Sequence, residues 1–511
     1  MSTIDYRRET KDLYSFSRIL PWLAFVIYLV IASFTMMHHE LWGDELHSWN
    51  MAKTSNTFLE LMQNRRYEGH PPVWHIILWL ITRFTHNPEY MQWVHLCIAA
   101  MAVYLVLFRS PLPLIIRILI PFGYYLLYEY AILSRNYMPG VLAGFLLCAL
   151  LHKDFRYRLV IYYFLLLVMS YTHLLALILA GCIHLYFLLS AAELKKNRTI
   201  IVFHALMGSV IFASALYLIK PPPDSDLSIG SWIERWNTSQ LIISIQAPLR
   251  AFVPLPAWWK YNFWNQQFLL DLNAQFKAFK IINPLLALAL VVFGAYILKT
   301  DRKSLLLYLT NVAATFIAGN IYPLISQRYS GFIFIGFIVA LWLHCYHKPL
   351  SISKKRMVSL LLVVQLTAGI FIVVKDISLP FSNAFNVKEL LDKKPMDAAI
   401  VTDYWALSAL STYNDKPYYC VDLQKETSFI LWGSDMMAMR EKNINRYYDG
   451  ISNYMRQRGL KEVYMISTSD SGILYKIDPK LFTAYKVDVM ERREGAIEKW
   501  SNLYLYRISL K

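Results

Sequence analysis

Twelve stretches of this 511-residue chain are apolar over roughly the length a helix needs to cross a bilayer, and nothing else constrains its fold as tightly. A hydrocarbon core about 30 Å thick takes about 20 mostly apolar residues of helix. The stretches lie near 19–37, 71–86, 91–108, 112–131, 136–152, 159–171, 174–190, 199–219, 281–298, 305–321, 330–346 and 357–375. Composition agrees: 56% of residues are hydrophobic and 17% charged, whereas soluble domains carry about a quarter charged residues. The expected fold class is an α-helical polytopic membrane protein with about 11–12 hydrophobic helices. The first stretch follows Arg7, Arg8, Lys11 and Arg18 but is long and lacks a small-residue cleavage site. It therefore reads as a retained helix, not a signal peptide.

Short loops rich in Lys and Arg stay in the cytoplasm. The loops 153–158, 195–198, 299–303 and 348–356 fit that description. Counting from them puts 134–137, the long loop 220–280, 322–329 and everything after Asp376 on the outer side of a plasma (inner) membrane. The basic N-terminus likewise puts 38–70 outside, while 109–117 looks cytoplasmic. An odd number of crossings must join those two, yet two apolar stretches separate them. The run 71–86 opens with Pro71-Pro72 and carries His75 and Arg83, so it is expected to lie in the interface or span only partly, leaving about eleven crossings.

Two units are expected, 1–375 in the membrane and 376–511 as a small extracytoplasmic α/β domain. The runs 398–403, 418–422, 462–468 and 502–508 read as strands, and 404–413 and 443–458 as amphipathic helices between them. Loop 220–280 opens with Pro221-Pro222-Pro223, which forbids helix there. It then carries Trp232, Trp236, Trp258, Trp259 and Trp264, a composition suited to the headgroup level. The five cysteines form no disulfide or CxxC pattern. A net charge of +16 is accounted for by basic cytoplasmic loops and anionic lipid or lipid phosphate, and implies no nucleic acid.

Charged side chains near a bilayer are expensive, so their clustering is informative. They gather at the outer ends of the helices: His38, His39, Glu40, Asp44, Glu45, His47, Glu68 and His70 in loop 38–70, then Glu129, Ser134, Arg135, Tyr137, Tyr171, His173, Gln327, Arg328 and Tyr329. A transporter would concentrate them near the midplane, often in broken helices of repeated halves. No internal repeat is evident. In Leu41-Trp42-Gly43-Asp44-Glu45, one carboxylate can act as general base toward a hydroxyl while the other orients it or a cation. Equally, acids there can cap a short interfacial helix. Arg135 and Arg328 suit a phosphate through paired hydrogen bonds, or serve as headgroup anchors. His173, in Ser170-Tyr171-Thr172-His173, is either a turn residue or a site residue.

An outer Asp44-Glu45 after the first helix, Glu68-Gly69-His70-Pro71-Pro72, Ser134-Arg135-Asn136-Tyr137 and Arg328-Tyr329 together resemble the membrane glycosyltransferases of the GT-C superfamily. They are most similar to the protein mannosyltransferase and lipid A aminoarabinose transferase group (glycosyltransferase family 39-like). Two features differ: Pro139 and Gly140 stand where relatives often have an acid, and His70 where the aminoarabinose transferases have a lysine. The resemblance implies inverting transfer of a single sugar from a polyprenyl-phosphate donor to a lipid, glycan or protein acceptor. Asp44 would be the general base and Glu45 its companion. Arg135, Arg328 and His70 would stabilise the leaving phosphate, with Glu68, Tyr137, His173 and Tyr329 in the substrate site. The other readings are a transporter or flippase of lipid-linked sugars, and an oligosaccharide ligase or polymerase. No organic cofactor is expected. A divalent metal on His38, His39 and His47 would be a further option, although their spacing fits no standard zinc signature. Asp403 ends a strand where α/β folds often bind ligands, but without a glycine-rich loop it favours a structural or acceptor-docking role.

Overall fold

A computed structural model describes residues 3–190, 197–225, 227, 238–321, 326–441 and 445–511. Seven of its helices are long and apolar enough to cross a membrane, and the protein is a multi-pass membrane protein. The principal helices are α1 (Thr3–His38), α2 (Gly43–Thr54), α3 (Val73–Thr82), α4 (Glu89–Arg109), α5 (Tyr137–Leu151), α6 (Arg158–Ser170), α7 (Leu174–Ser190), α8 (Arg198–Ile219), α9 (Phe279–Leu298), α10 (Arg302–Ile321), α11 (Gln327–His347) and α12 (Ile352–Ser378). Helix α11 is apolar on all sides and buried along nearly its whole length, as a central helix must be. Helices α8 and α9 leave most of their apolar surface open to lipid.

The two ends of the bundle differ in chemistry. At one end His152 stacks on Tyr346, Lys354 donates to the Ile297 carbonyl at 2.6 Å and Lys348 to that of Thr300. Three of the four basic loops therefore meet there. The fourth, 195–198, lies partly outside the described residues. Trp22, near the start of the apolar part of α1, touches Phe108 near the end of α4, so Arg109 lies at the opposite end from His38. Helix α3 is short, as expected for a run that lies in the interface or spans only partly. Its ten residues rise about 15 Å, half a bilayer. The Val73 amide bonds the Tyr171 carbonyl at its start. At its end Arg83 bonds the Ala52 and Lys53 carbonyls and His86 pairs with Asp415. Its end thus reaches the tail through Asp415, and its start meets the turn at Tyr171.

The stretch 112–131, expected as one span, is broken instead. A six-residue helix (Leu114–Leu119) gives way to a tight turn at Ile120–Phe122 and a wide one at Tyr125–Glu129. Pro121 cannot donate to a helix ladder, and hydropathy alone does not register that. Loop 220–280 also departs from expectation. Trp258 and Trp259 are exposed, but Trp264 is buried against Trp42 and Phe381; Trp232 and Trp236 lie outside the described residues.

The tail forms one six-stranded sheet in the order β3-β2-β1-β4-β6-β5. The strands are β1 (Ile400–Thr402), β2 (Tyr418–Cys420), β3 (Lys425–Thr427), β4 (Glu462–Ser467), β5 (Tyr485–Arg493) and β6 (Leu503–Leu510). Strand β1 pairs in parallel with β2 and β4, Val401 facing Tyr419 and Met465; the remaining pairs are antiparallel. The expected helices appear as α13 (Tyr404–Asn414) and α14 (Arg446–Arg458). Strands β3 and β5, the two sheet edges, were not expected. Charged residues recur along β5, which protects an edge but hides the apolar alternation of a strand. The tail is bolted to α2: Asn50 donates to the Ser408 carbonyl and accepts from Thr412, and Lys53 pairs with Asp415 at 2.7 Å.

Candidate active site

The adjacent acids of α2 separate because consecutive helix positions point about 100° apart. Glu45 turns inward and is fully buried. Its carboxylate accepts from the Trp42 amide at 3.1 Å, closing the first turn of α2, and from the Ser134 amide. It also meets His39 at 3.5 Å. Glu45 therefore caps the helix and does not line the cavity. The expectation that it shares the chemistry gives way to a positioning role. Asp44 turns the other way, its side chain 35% exposed to a cavity of about 550 Å³, within the usual range for ligand pockets.

Arg328, at the start of α11, reaches the Asp44 carboxylate at 3.1 Å. Its guanidinium lies over the rings of Trp42, Trp264 and Tyr329, and its Nε has no hydrogen-bond partner among the described residues. Arg135 stands at 3.8 Å from the same carboxylate; one of its nitrogens is taken by the Asp44 carbonyl and by Ser48 Oγ at 2.9 Å. Burial disfavours a charged Asp44, but Arg135 and Arg328 outweigh it and hold its pKa below the usual value.

Glu68 lies between His47 and His75, at 2.7 and 2.8 Å. Burial opposes its charge, but the two histidines outweigh that and hold it well below the usual carboxylate range. The chain then turns at Gly69, whose φ of +66° suits glycine, and presents His70 to the cavity. Burial, with Arg135 and His75 nearby, pushes the His70 pKa down to about 3, although Glu68 and Asp44 oppose the shift. His70 is thus a neutral hydrogen-bond partner, not the third cation expected from sequence. His173 accepts the Leu175 amide on Nδ1 at 3.1 Å, so its Nε2 carries the proton. Its ring lies 5.7 Å from His70 and lines the cavity; it is at once a turn residue and a wall. Tyr329 is on the wall too, whereas Tyr137 is buried behind His173 and Tyr329. Gly140 explains one departure from the family pattern: a Cβ there would come within 2.6 Å of Thr172, so close packing of helices occupies the place of an acid.

The three histidines considered for a metal do not converge. His38 is exposed at the end of α1 and bonds the Phe34 carbonyl, His39 pairs with Asp376 at 2.8 Å, and His47 holds Glu68. Among the described residues no cluster of three or more His, Cys, Asp or Glu is arranged to hold an ion. Burial disfavours charge on His39, but Asp376 and Glu45 hold its pKa up at about 10. A pKa raised above its unfolded value stabilises the fold fully below the unfolded pKa, and that contribution is lost as pH rises through about 10. His39→Ala, which strands two buried carboxylates, is expected to cost about 3–5 kcal/mol. The check is the unfolding midpoint in detergent, which should fall clearly below that of the parent at pH 7; an unchanged midpoint would contradict the role.

Several residues of the cavity were not foreseen as part of a site: Trp264 and, from the tail, Ser382, Tyr404, Trp405, Trp432, Thr468, Glu498 and Trp500. The tail thus supplies part of the wall, with Asp44, His70, Arg135, His173, Arg328 and Tyr329 on the membrane side. Asp403 is buried, binding the Ala406 and Thr468 amides and Ser467. It anchors α13 without reaching the cavity.

No family model matches the sequence, and no curated protein matches it. Among solved structures the chain is similar to ArnT from Cupriavidus metallidurans, a lipid A aminoarabinose transferase, in its crystal structure bound to undecaprenyl phosphate. The TM-score is 0.51 at 11% identity, over 95% of this chain and 97% of that one. The apo crystal structure of the same protein gives 0.43 at the same identity and coverage. At such identity the likeness concerns architecture alone: the chain has an ArnT-like fold.

Proposed function

We propose that the protein is a membrane glycosyltransferase that moves a single sugar from a polyprenyl-phosphate donor to an acceptor hydroxyl on the outer face of an inner membrane. The observation that carries this reading is one cavity holding a carboxylate between two arginines, where that cavity meets an apolar groove. The groove, formed by residues such as Leu177, Ile178, Phe212 and Leu216, shares Leu174 with the cavity. A lipid chain suits the groove and a sugar phosphate suits the cavity. Residues 1–375 would hold the donor, and 376–511 would close the site from outside. The polar groups lie at one end of the bundle, which disfavours a transport pathway through the midplane.

In this reaction Asp44 takes the proton of the acceptor hydroxyl as that oxygen bonds to the anomeric carbon. The bond from that carbon to the phosphate oxygen breaks, the lipid phosphate leaves with the electron pair, and the anomeric configuration inverts. Arg328 and Arg135 stabilise the charge that develops on the phosphate. Paired with Asp44, they hold it ionised but weakly basic. A donor phosphate competes for both arginines and raises the basicity of Asp44 when it is needed.

A pH prediction follows. In the free enzyme, the depressed Asp44 pKa puts the acid limb of kcat/KM below the ordinary carboxylate range, since ionised Asp44 persists as pH falls. In the donor complex the pKa rises, so the acid limb of kcat should sit at higher pH. Steady-state rates at saturating and limiting donor across the acid range check this; coincident limbs would count against the exchange of partners. The reading itself is tested by incubating purified protein with radiolabelled polyprenyl-phosphate sugars and acceptor extracts. Label should pass to the acceptor. Label that crosses a vesicle membrane still attached to its lipid would support a flippase instead.

A further inference from the structure

Resting on the transferase reading, we propose that the acceptor is a carbohydrate, a glycan or glycolipid headgroup, bound on the tail wall of the cavity against Trp405 and Trp500. Trp405 lies in the first turn of α13 and Trp500 in the loop joining β5 to β6. Their rings are parallel to within 10° with centroids 6.3 Å apart. That is wider than a face-to-face stack, and the side chains are 41% and 47% exposed. Tyr404 extends the row at 4.6 Å from Trp405, and Lys499 covers part of Trp500.

Two large indoles left open inside a concave site forgo burial that a folded domain would otherwise gain. A pyranose offers what they lack, a face of C–H groups to lie on an aromatic ring and a rim of hydroxyls needing polar partners. The rim partners stand beside the rings. Glu498 lines the cavity. It is fixed by the Trp500 amide at 2.8 Å and Ser501 Oγ at 2.7 Å, and Ser408 and Thr468 lie on the same wall. The platform also shares one cavity with the reaction centre, since Trp405, Glu498 and Trp500 line the same space as Asp44 and Arg328. A peptide bound by strand addition would need an open strand edge, and one held by a terminus a nest of amides. This wall presents indole faces, hydroxyls and a carboxylate.

The test uses the full chain in phosphatidylcholine nanodiscs, applied to an array of glucose, glucosamine, mannose and galactose oligosaccharides beside Ser/Thr-containing peptides. The parent should be retained on at least one saccharide. The Trp405→Ala/Trp500→Ala variant should lose that retention by about ten-fold or more, and the Phe/Phe variant should recover part of it. Polyprenyl-phosphate binding, unchanged in all three, reports that the fold is intact. Retention on peptides alone, no retention of the parent on any saccharide, or equal retention by the double-alanine variant overturns the proposal. Because the array needs no turnover, its outcome is separate from that of the transfer assay.

Discussion

Asp44→Asn is expected to lower sugar transfer by about two to four orders of magnitude, the usual worth of a positioned general base. Donor binding should persist, because the change leaves α2 and its cap in place. The cap belongs to Glu45, which closes the turn through the Trp42 amide, so the amide at position 44 disturbs the chemistry and not the helix. Asparagine also keeps the shape of Asp44 while releasing its ion pairs to Arg328 and Arg135, leaving both cations free for phosphate. Lower turnover with equal or tighter donor binding is therefore the expected signature. Transfer at the parental rate would remove Asp44 from the mechanism. The control is Glu45→Gln, whose main effect should be on stability.

Arg328→Ala is the second large effect, expected at about two to three orders of magnitude in transfer, comparable to loss of one donor from an oxyanion site. Both arginines keep an unpartnered Nε among the described residues, but Arg135 commits a terminal nitrogen to the Asp44 carbonyl and Ser48, whereas Arg328 is paired with the Asp44 carboxylate itself. Three aromatic rings hold its plane. Arg328→Lys should recover only part of the loss, since a lysine restores charge but not the planar fork or the stacking. Both donor affinity and turnover should fall. Donor affinity unchanged in the alanine variant, measured with labelled polyprenyl phosphate, would place the phosphate elsewhere.

Much of this arrangement was legible in the sequence. Apolar length located the long helices, the basic loops separated the two ends, and parity together with Pro71-Pro72, His75 and Arg83 pointed to the run that became the ten-residue α3. The short polar motifs at the outer ends named Asp44, His70, Arg135, His173, Arg328 and Tyr329, which the fold gathers around one cavity. Of the two accounts of Asp44-Glu45, capping describes Glu45, while the helix turns Asp44 apart from it and toward the cavity. The sequence could not show that 112–131 breaks, since its apolar content continues through Pro121 and Gly123. Nor could it show that His39 would find Asp376 337 positions away, or that Trp405, Glu498 and Trp500 would meet Asp44. The first pairing depends on α12 packing beside the end of α1 and the second on the tail folding back onto α2, and no local pattern carries that information.

The central claim concerns where a sugar phosphate sits, and a structure of the protein with a non-cleavable polyprenyl-phosphonate sugar tests it most directly. The account predicts the phosphonate within hydrogen-bond reach of Arg328 and Arg135, the lipid chain leaving past Leu174, and the anomeric carbon facing Asp44. A phosphonate bound at the basic end of the bundle, or with its sugar turned away from Asp44, would contradict it.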